Sequence, residues 1–235
     1  AKPAVANVSC AGPECAKSNT HCEGNVGDPI WTYDGSLFLN YTDLEVGVNF
    51  PIRLVRKYDS RSEYDSAVGY GWSFAHDKRL FEYPDGSIII RSGCGHRARF
   101  VLTGGAYVSA SGDIAGQLFS YSNGSYEFKH VNGARDIYSP LGQLATVIAA
   151  NGWRHEFIYD VREQLPLIGT SPRAVDPNKP MLVAYLPRLT RIEERTLTSL
   201  PTGYAVDFTY NDTTGRLTGI VASDGQAPPV ATEAF

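Results

Sequence analysis

The stretch Phe50-Pro51-Ile52-Arg53-Leu54-Val55-Arg56-Lys57-Tyr58-Asp59-Ser60-Arg61-Ser62, followed after Val68 by Gly69-Tyr70-Gly71-Trp72-Ser73-Phe74-Ala75-His76-Asp77-Lys78-Arg79-Leu80, decides the fold class. Ile52, Leu54 and Tyr58 alternate with Arg53, Val55 and Lys57 in a near two-residue period, which predicts a strand with one buried face. Asp59 to Ser62 is turn chemistry, because short polar side chains bond their own backbone. Gly69 to Trp72 sets two glycines beside two large aromatics, close backbone approach next to large buried area. Phe74, His76 and Lys78 are then expected on one face, with Ala75, Asp77 and Arg79 on the other.

Working outward, the same grammar repeats. Asp-Gly at Asp34-Gly35 and Asp85-Gly86, and Asn-Gly at Asn123-Gly124 and Asn132-Gly133, stand between alternating runs and predict hairpins with two-residue loops. Loops that short join only antiparallel strands. The fold expected is all-β, antiparallel hairpins strung into a curved, repetitive sheet. Tyr138-Ser-Pro-Leu-Gly142-Gln-Leu144 is echoed, at one fixed offset, by Tyr159-Asp-Val-Arg-Glu163-Gln-Leu165. Tyr210-Asn-Asp-Thr-Thr-Gly215-Arg-Leu217 is a third copy with a longer turn. Tyr138, Leu144, Tyr159, Leu165, Tyr210 and Leu217 are therefore the expected repeat core, each unit burying its apolar face only against its neighbours.

These readings divide the chain into 1–27, a cysteine-containing N-terminal arm; 28–165, the hairpin domain; 166–201, a proline-rich insertion; 202–225, a further repeat; and 226–235, a linker-like tail. Six prolines from Pro166 to Pro201 preclude a continuous central strand through the insertion, although Leu189 to Leu197 reads as a strand within it. The arm and tail are expected to lie against a sheet edge or a neighbouring subunit, because segments of their composition otherwise fray.

A chain of 235 residues with 43% hydrophobic and 20% charged residues is long and apolar enough for a sizeable core. A net charge of −4 gives nucleic acid no reason to bind, and no apolar run approaches the ~20 residues of a membrane helix. The start at Ala1 reads as signal-peptide removal or a trimmed boundary. Cys10, Cys15, Cys22 and Cys94 are an even set. The preferred reading is two disulfides in an oxidising compartment, with Cys94 tying the arm to the turn at Gly93–Gly95. Zinc, with His21 as a fourth ligand, is the less favoured reading because the C-x₂-C spacing is missing; free thiols are the third.

Candidate sites are weighed against plainer roles. His76-Asp77 lacks a Gly-x-Ser-x-Gly elbow and reads as strand-face chemistry, not a triad. Glu193-Glu194 point to opposite faces of a strand and read as a solvated edge. Asp28, Asp34 and Asp43 lack an EF-hand spacing and read as turn formers. Asn7, Asn40, Asn123 and Asn211 open glycosylation sequons. Trp31, Tyr70, Trp72 and Trp153 offer a sugar platform or, by preference, core packing. No catalytic pattern, cofactor or metal site is expected.

The Tyr58-Asp59-Ser60-Arg61-Ser62 and Gly69-Tyr70-Gly71-Trp72-Ser73-Phe74 pair, with its basic run, resembles the conserved N-terminal region of RHS/YD-repeat proteins. Gly27-Asp28-Pro29-Ile30 and Tyr41-Thr42-Asp43 are similar to the start of that region, and Tyr159-Asp160 and Tyr210 to Ile220 look like YD repeats. The resemblance covers roughly Cys22 to Asp224. It implies a curved sheet of the kind that such proteins wrap into a hollow shell around a C-terminal toxin or other cargo. The copy at Tyr159 departs from the family's Tyr-Asp-x-x-Gly-Arg-Leu pattern, with Glu163 at the glycine position. About three clear repeats are too few to close a cavity alone. The function implied is a non-catalytic structural module of a secreted RHS-type shell, with itself or the rest of the shell as partner. The extended ends suggest instead a self-assembling extracellular, filament-like β subunit. A carbohydrate-binding or adhesive module, with a glycan as ligand, is the third.

Overall fold

The structure is a computed structural model that describes residues 37–62, 64–93, 95, 97–110, 115–160, 188–225 and the backbone of 231–234. Cys10, Cys15, Cys22, Cys94, Leu165 and Trp31 lie outside the described residues, as do the arm at 1–27 and most of the insertion.

The described chain is all-β. Its first five strands are β1 (Phe38–Val46), β2 (Ile52–Asp59), β3 (Asp65–Ser66), β4 (Gly69–Tyr70) and β5 (Trp72–Phe74). Then come β6 (Arg79–Glu82), β7 (Ile88–Arg91), β8 (Arg97–Thr103), β9 (Ala106–Ser109), β10 (Gly116–Ser120), β11 (Tyr126–His130) and β12 (Arg135–Tyr138). The remainder are β13 (Leu144–Ile148), β14 (Arg154–Tyr159), β15 (Leu189–Arg195), β16 (Pro201–Tyr210), β17 (Leu217–Asp224) and β18 (Ala231–Ala234). From β6 to β18 every strand pairs with its neighbours in sequence, giving one antiparallel sheet of 13 strands without a crossover. Strands β1, β2 and β5 form a separate small sheet, and β3 pairs with β4.

The Asx-Gly turns after β6, β10, β11 and β13 share one geometry, longer by one residue than the two-residue loops predicted at Asp85-Gly86, Asn123-Gly124 and Asn132-Gly133. In the β6–β7 turn Tyr83 N–H donates to Ser87 O, Gly86 N–H donates to Tyr83 O, and the Asp85 carboxylate accepts from Ser87 N–H. The turns at Asn123, Asn132 and Asn151 repeat this arrangement. It is a type I turn closed by a residue in the left-handed region, with the Asx side chain capping the turn. In the β15–β16 turn Ser199 takes the glycine's place at φ 68.

The sheet closes in two ways. Its first half curls until β6 meets the turn after β12: Leu80 N–H donates to Gly142 O at 2.9 Å, and Arg79 bridges to Gln143. Gly142 is required there, since its φ is +75 and a Cβ would stand 2.0 Å from Leu80 O. Leu80, Ile88, Ala98, Phe100, Leu118, Phe128 and Tyr138 fill the interior, all 4% exposed or less. Phe100 and Phe128 meet edge to face at 5.8 Å.

From β14 onward the sheet stays open, and the small sheet covers its inner face. Phe157, Ile192, Val206 and Ala222 line up in register across β14 to β17, and Phe208 pairs with Ile220 beside them. Ile52 and Leu54 of β2 belong to the same buried cluster, and Phe74 meets Phe208 at 6.3 Å. The hairpin of β3 and β4 is held to the start of β17, where Leu217 N–H donates to Ala67 O and the Arg216 guanidinium pairs with Asp65. Strand β15 lies within the segment read as an insertion and β18 within the tail; both pair into the large sheet.

Candidate functional site

Two features combine at the junction of the large and small sheets: a tyrosine–leucine ladder along one end of the large sheet, and a polar seam beneath the small one.

The ladder comes from a bulge at the end of three strands. Tyr138 pairs with Leu144, Tyr159 with Leu189 and Tyr210 with Leu217, and each pairing follows a register shift. The phenol of Tyr159 donates to Leu144 O at 3.0 Å, and that of Tyr210 donates to Leu189 O at 2.7 Å. Each of these two tyrosines thus pairs with the leucine after it and bonds the leucine that answered the tyrosine before it. Burial pushes both phenols up from their ordinary pKa, so they stay protonated donors. Tyr138 and Leu144 are fully buried, Leu217 is buried, and Tyr159 and Tyr210 are half-buried. The partner of Tyr159 is Leu189, not the Leu165 that sequence spacing suggests. The intervening chain separates the two halves of that hairpin, and only the strand pattern around Leu189 hinted at it.

The residue after each tyrosine secures its turn. The Ser139 hydroxyl accepts from Leu141 and Gln143 N–H, and the Asn211 side chain accepts from Thr213 and Thr214 N–H. Asp160 accepts from the backbone N–H of Arg188 at 2.6 Å, and Arg188 reaches Asp212 at 2.8 Å. Arg188 therefore ties the end of β14 to the turn after β16.

The seam is built from residues whose burial the sequence did not reveal. His155 and Glu194 stand directly opposite each other on β14 and β15, facing inward. Glu194 is 0% exposed, where the sequence suggested a solvated edge. One carboxylate oxygen accepts from Phe50 N–H at 2.7 Å and Asn49 N–H at 3.2 Å; the other accepts from the Thr202 hydroxyl at 2.9 Å. The alternation placed Glu193 and Glu194 on opposite faces but could not say which face is inside. Glu193 is the outer one and pairs with Arg191 and Arg195. The His155 ring stacks on Phe50 at 3.9 Å and its Nε2–H donates to Phe50 O at 2.6 Å. His76 Nε2–H donates to Arg53 O at 3.0 Å. It lies in a turn beyond β5, so the strand alternation expected from Phe74 to Lys78 stops at Phe74.

A cavity of about 100 Å³ lies along this seam, bordered by Leu54, Tyr64, Phe74, His76, Tyr159 and Tyr210. Burial lowers the pKa of His76 to about 3, with His155 and Lys78 adding to the shift. Burial likewise lowers that of His155, against the opposing pull of Phe50 O and Glu194. Tyr64 is pushed up by burial and by Asp77, while Arg91 stacks on its ring at 3.4 Å. At neutral pH the seam therefore holds neutral imidazoles and protonated phenols. Beside it, Asp136 accepts from Lys78 Nζ at 2.7 Å and lies 3.1 Å from His130 Nε2. Burial pushes the Asp136 carboxyl up, but Lys78 and His130 outweigh it and hold the pKa at about 2.

The aromatics considered as a sugar platform are dispersed in role. Trp72 is half-buried against Tyr41, Tyr58 and Arg56, Tyr70 is 61% exposed, and Trp153 follows the β13–β14 turn. Among the described residues no cluster of His, Cys, Asp and Glu is placed to hold a metal, and no helix is long and apolar enough to cross a membrane.

An all-β meander with a covered inner face is the class of protein that these observations define. Residues 27–100 match a family model described as "Domain of unknown function (DUF6531)", which takes in the small sheet and the first strands of the large one. Among curated proteins none matches the chain in sequence. A solved structure titled "Crystal Structure of TcdB2-TccC3-TEV" is similar over 86% of this chain, at 13% identity and a TM-score of 0.40. The chain spans 12% of that chain's length.

Proposed function

We propose that this chain is a non-catalytic structural module of a secreted RHS/YD-repeat-type protein, a length of wall whose purpose is to be continued by like units. The observation that carries this reading is the ladder, in which Tyr159 and Tyr210 bond back to Leu144 and Leu189. A device that ties each hairpin to the one before it suits an extensible sheet and serves no evident purpose in a closed domain. The residues that resemble the RHS N-terminal region, Tyr58 to Ser62 and Gly69 to Phe74, include the end of β2, strand β4 of the β3–β4 hairpin and the edge strand β5. A non-catalytic role accords with imidazoles and phenols engaged with backbone carbonyls.

A second reading rests on a different observation. Strand β18 pairs with β17 and has no further strand beside it among the described residues. Such an edge is a template for strand addition, so a filament-like subunit that adds copies edge to edge is the alternative. Native mass spectrometry and electron microscopy of the protein isolated from its source distinguish the two. A hollow particle whose wall contains this sheet supports the shell module. Filaments support edge assembly. A small monomer at high concentration rejects both.

A further inference from the structure

We propose that the seam between the small sheet and strands β14 to β16 is an acid-sensitive latch: protonation of His76 and His155 detaches the small sheet while the rolled part of the large sheet stays folded. This goes beyond the structural role and does not depend on it.

The two imidazoles hold the same short segment. His155 Nε2–H donates to Phe50 O and His76 Nε2–H donates to Arg53 O, so four consecutive residues leading into and along β2 are fastened from below by two titratable rings. The rings lie edge to face with centroids 6.2 Å apart, and Phe157 packs on His76 at 5.4 Å. With Nε2–H committed to a carbonyl, the next proton must enter at Nδ1. The Nδ1 of His155 is buried and has no hydrogen-bond partner. A proton there creates a charged donor with nothing to receive it, which is among the costliest things to bury. Two imidazoliums at this separation also repel each other.

The charged groups around the pair decide the direction. Across the sheet from His155 stands Glu194, whose charge favours imidazolium. Its oxygens are already engaged by Asn49 N–H, Phe50 N–H and the Thr202 hydroxyl. Around His76, Lys78 opposes protonation and Asp136 favours it, but Asp136 is engaged by Lys78 and His130. Both carboxylates already serve other donors, and neither bonds Nδ1 of His155. Burial therefore prevails, and both rings are kept neutral in the folded seam.

The sign follows. A histidine whose folded pKa is depressed takes up its proton more readily once released, so the closed state loses stability as pH falls below about 6.5, the free imidazole value, and towards the lower folded value. The cavity of about 100 Å³ that borders His76 is large enough to admit water beside the ring. The rolled part carries a different acid-sensitive group, Asp136, whose pKa of about 2 keeps it ionised through the range in which the histidines titrate. The seam should therefore yield first.

Amide hydrogen exchange by mass spectrometry on the whole chain, corrected for the intrinsic pH dependence of exchange, tests this. Between pH 7.5 and pH 5, peptides covering 38–59 and 72–76 should lose protection at least tenfold, while peptides covering 117–138 should keep theirs. The double variant His76→Gln, His155→Gln keeps a neutral donor at each position, and its exchange in 38–59 should not change with pH. Equal loss of protection in both regions of the wild type would overturn the proposal, as would an unaltered pH response in a folded double variant. Should the variant fail to fold, exchange at the imidazole C2 hydrogens of the wild type decides. Both histidines titrating below the free value supports the latch, and either titrating at or above it overturns it.

Discussion

Between Arg79 and Ile148 the sheet curls and seals itself, and between Arg154 and Asp224 it borrows its cover from strands more than a hundred residues earlier. The first region is closed by backbone and apolar packing: Leu80 N–H on Gly142 O, with Ile88, Phe100 and Phe128 inside. Its ionic groups, the buried Asp136 with Lys78 and His130 and the buried Arg91 with Asp77, lie at its margin. The second region is closed by polar fastenings, with Glu194 on Asn49 and Phe50, His155 on Phe50, and Arg216 on Asp65. The contrast has a physical reason. A rolled sheet satisfies its backbone through its own ladder. A loop laid across an open sheet brings unpaired N–H and C=O groups that buried side chains must meet. Glu194 and His155 are the side chains that meet them.

The largest effect should come from the Asp136 group at the margin of the first region. Asp136→Asn removes the buried carboxylate that Lys78 and His130 share and should destabilise the fold by about 3–5 kcal/mol in denaturant unfolding. The wild type should show the matching pH signature. Because the folded pKa of Asp136 is depressed to about 2, its contribution is full above its unfolded value and is lost as pH falls through about 2. Loss of the rolled region's circular dichroism well above that range would place its weak point elsewhere.

Leu144 sits where the two regions join. Leu144→Ala should lower stability by about 2–4 kcal/mol, and a melting temperature equal to the wild type would mean that the ladder is not core structure. Smaller still is the loss of a single rung. Tyr210→Phe removes only the hydroxyl that reaches Leu189 O, and an effect of about 1 kcal/mol is expected. Tyr159→Phe should match it. If Tyr159→Phe is neutral and Tyr210→Phe is not, the two rungs are not equivalent and the repeat ends at the insertion.

These contrasts also explain what the sequence made legible. The turns could be read because their signal is local: an Asx, a glycine and alternating flanks within a few residues. The one error, a loop longer by a residue, arises because Asn-Gly fits both a two-residue turn and a type I turn with a bulge. Tyr138 and Leu144 were legible for the same reason. Leu189 as the partner of Tyr159 was not, since the spacing offered Leu165 first and a long connection intervenes. The seam was least legible of all. Glu194 becomes a clamp only because residues 49 and 50 arrive above it, and no pattern around Glu194 records that. The alternation and turns pointed to an all-β antiparallel sheet, which the structure has, without pointing to the seam.

The central claim is that one continuous sheet is closed in two physically different ways. Native-state hydrogen exchange at pH 7.5 against increasing denaturant tests it most directly. The account predicts that amides of β1, β2 and β5 exchange through a partial opening at lower denaturant, while amides of β7, β8, β11 and β12 exchange only with global unfolding. A single opening reaction, with both sets merging at every denaturant concentration, would contradict it.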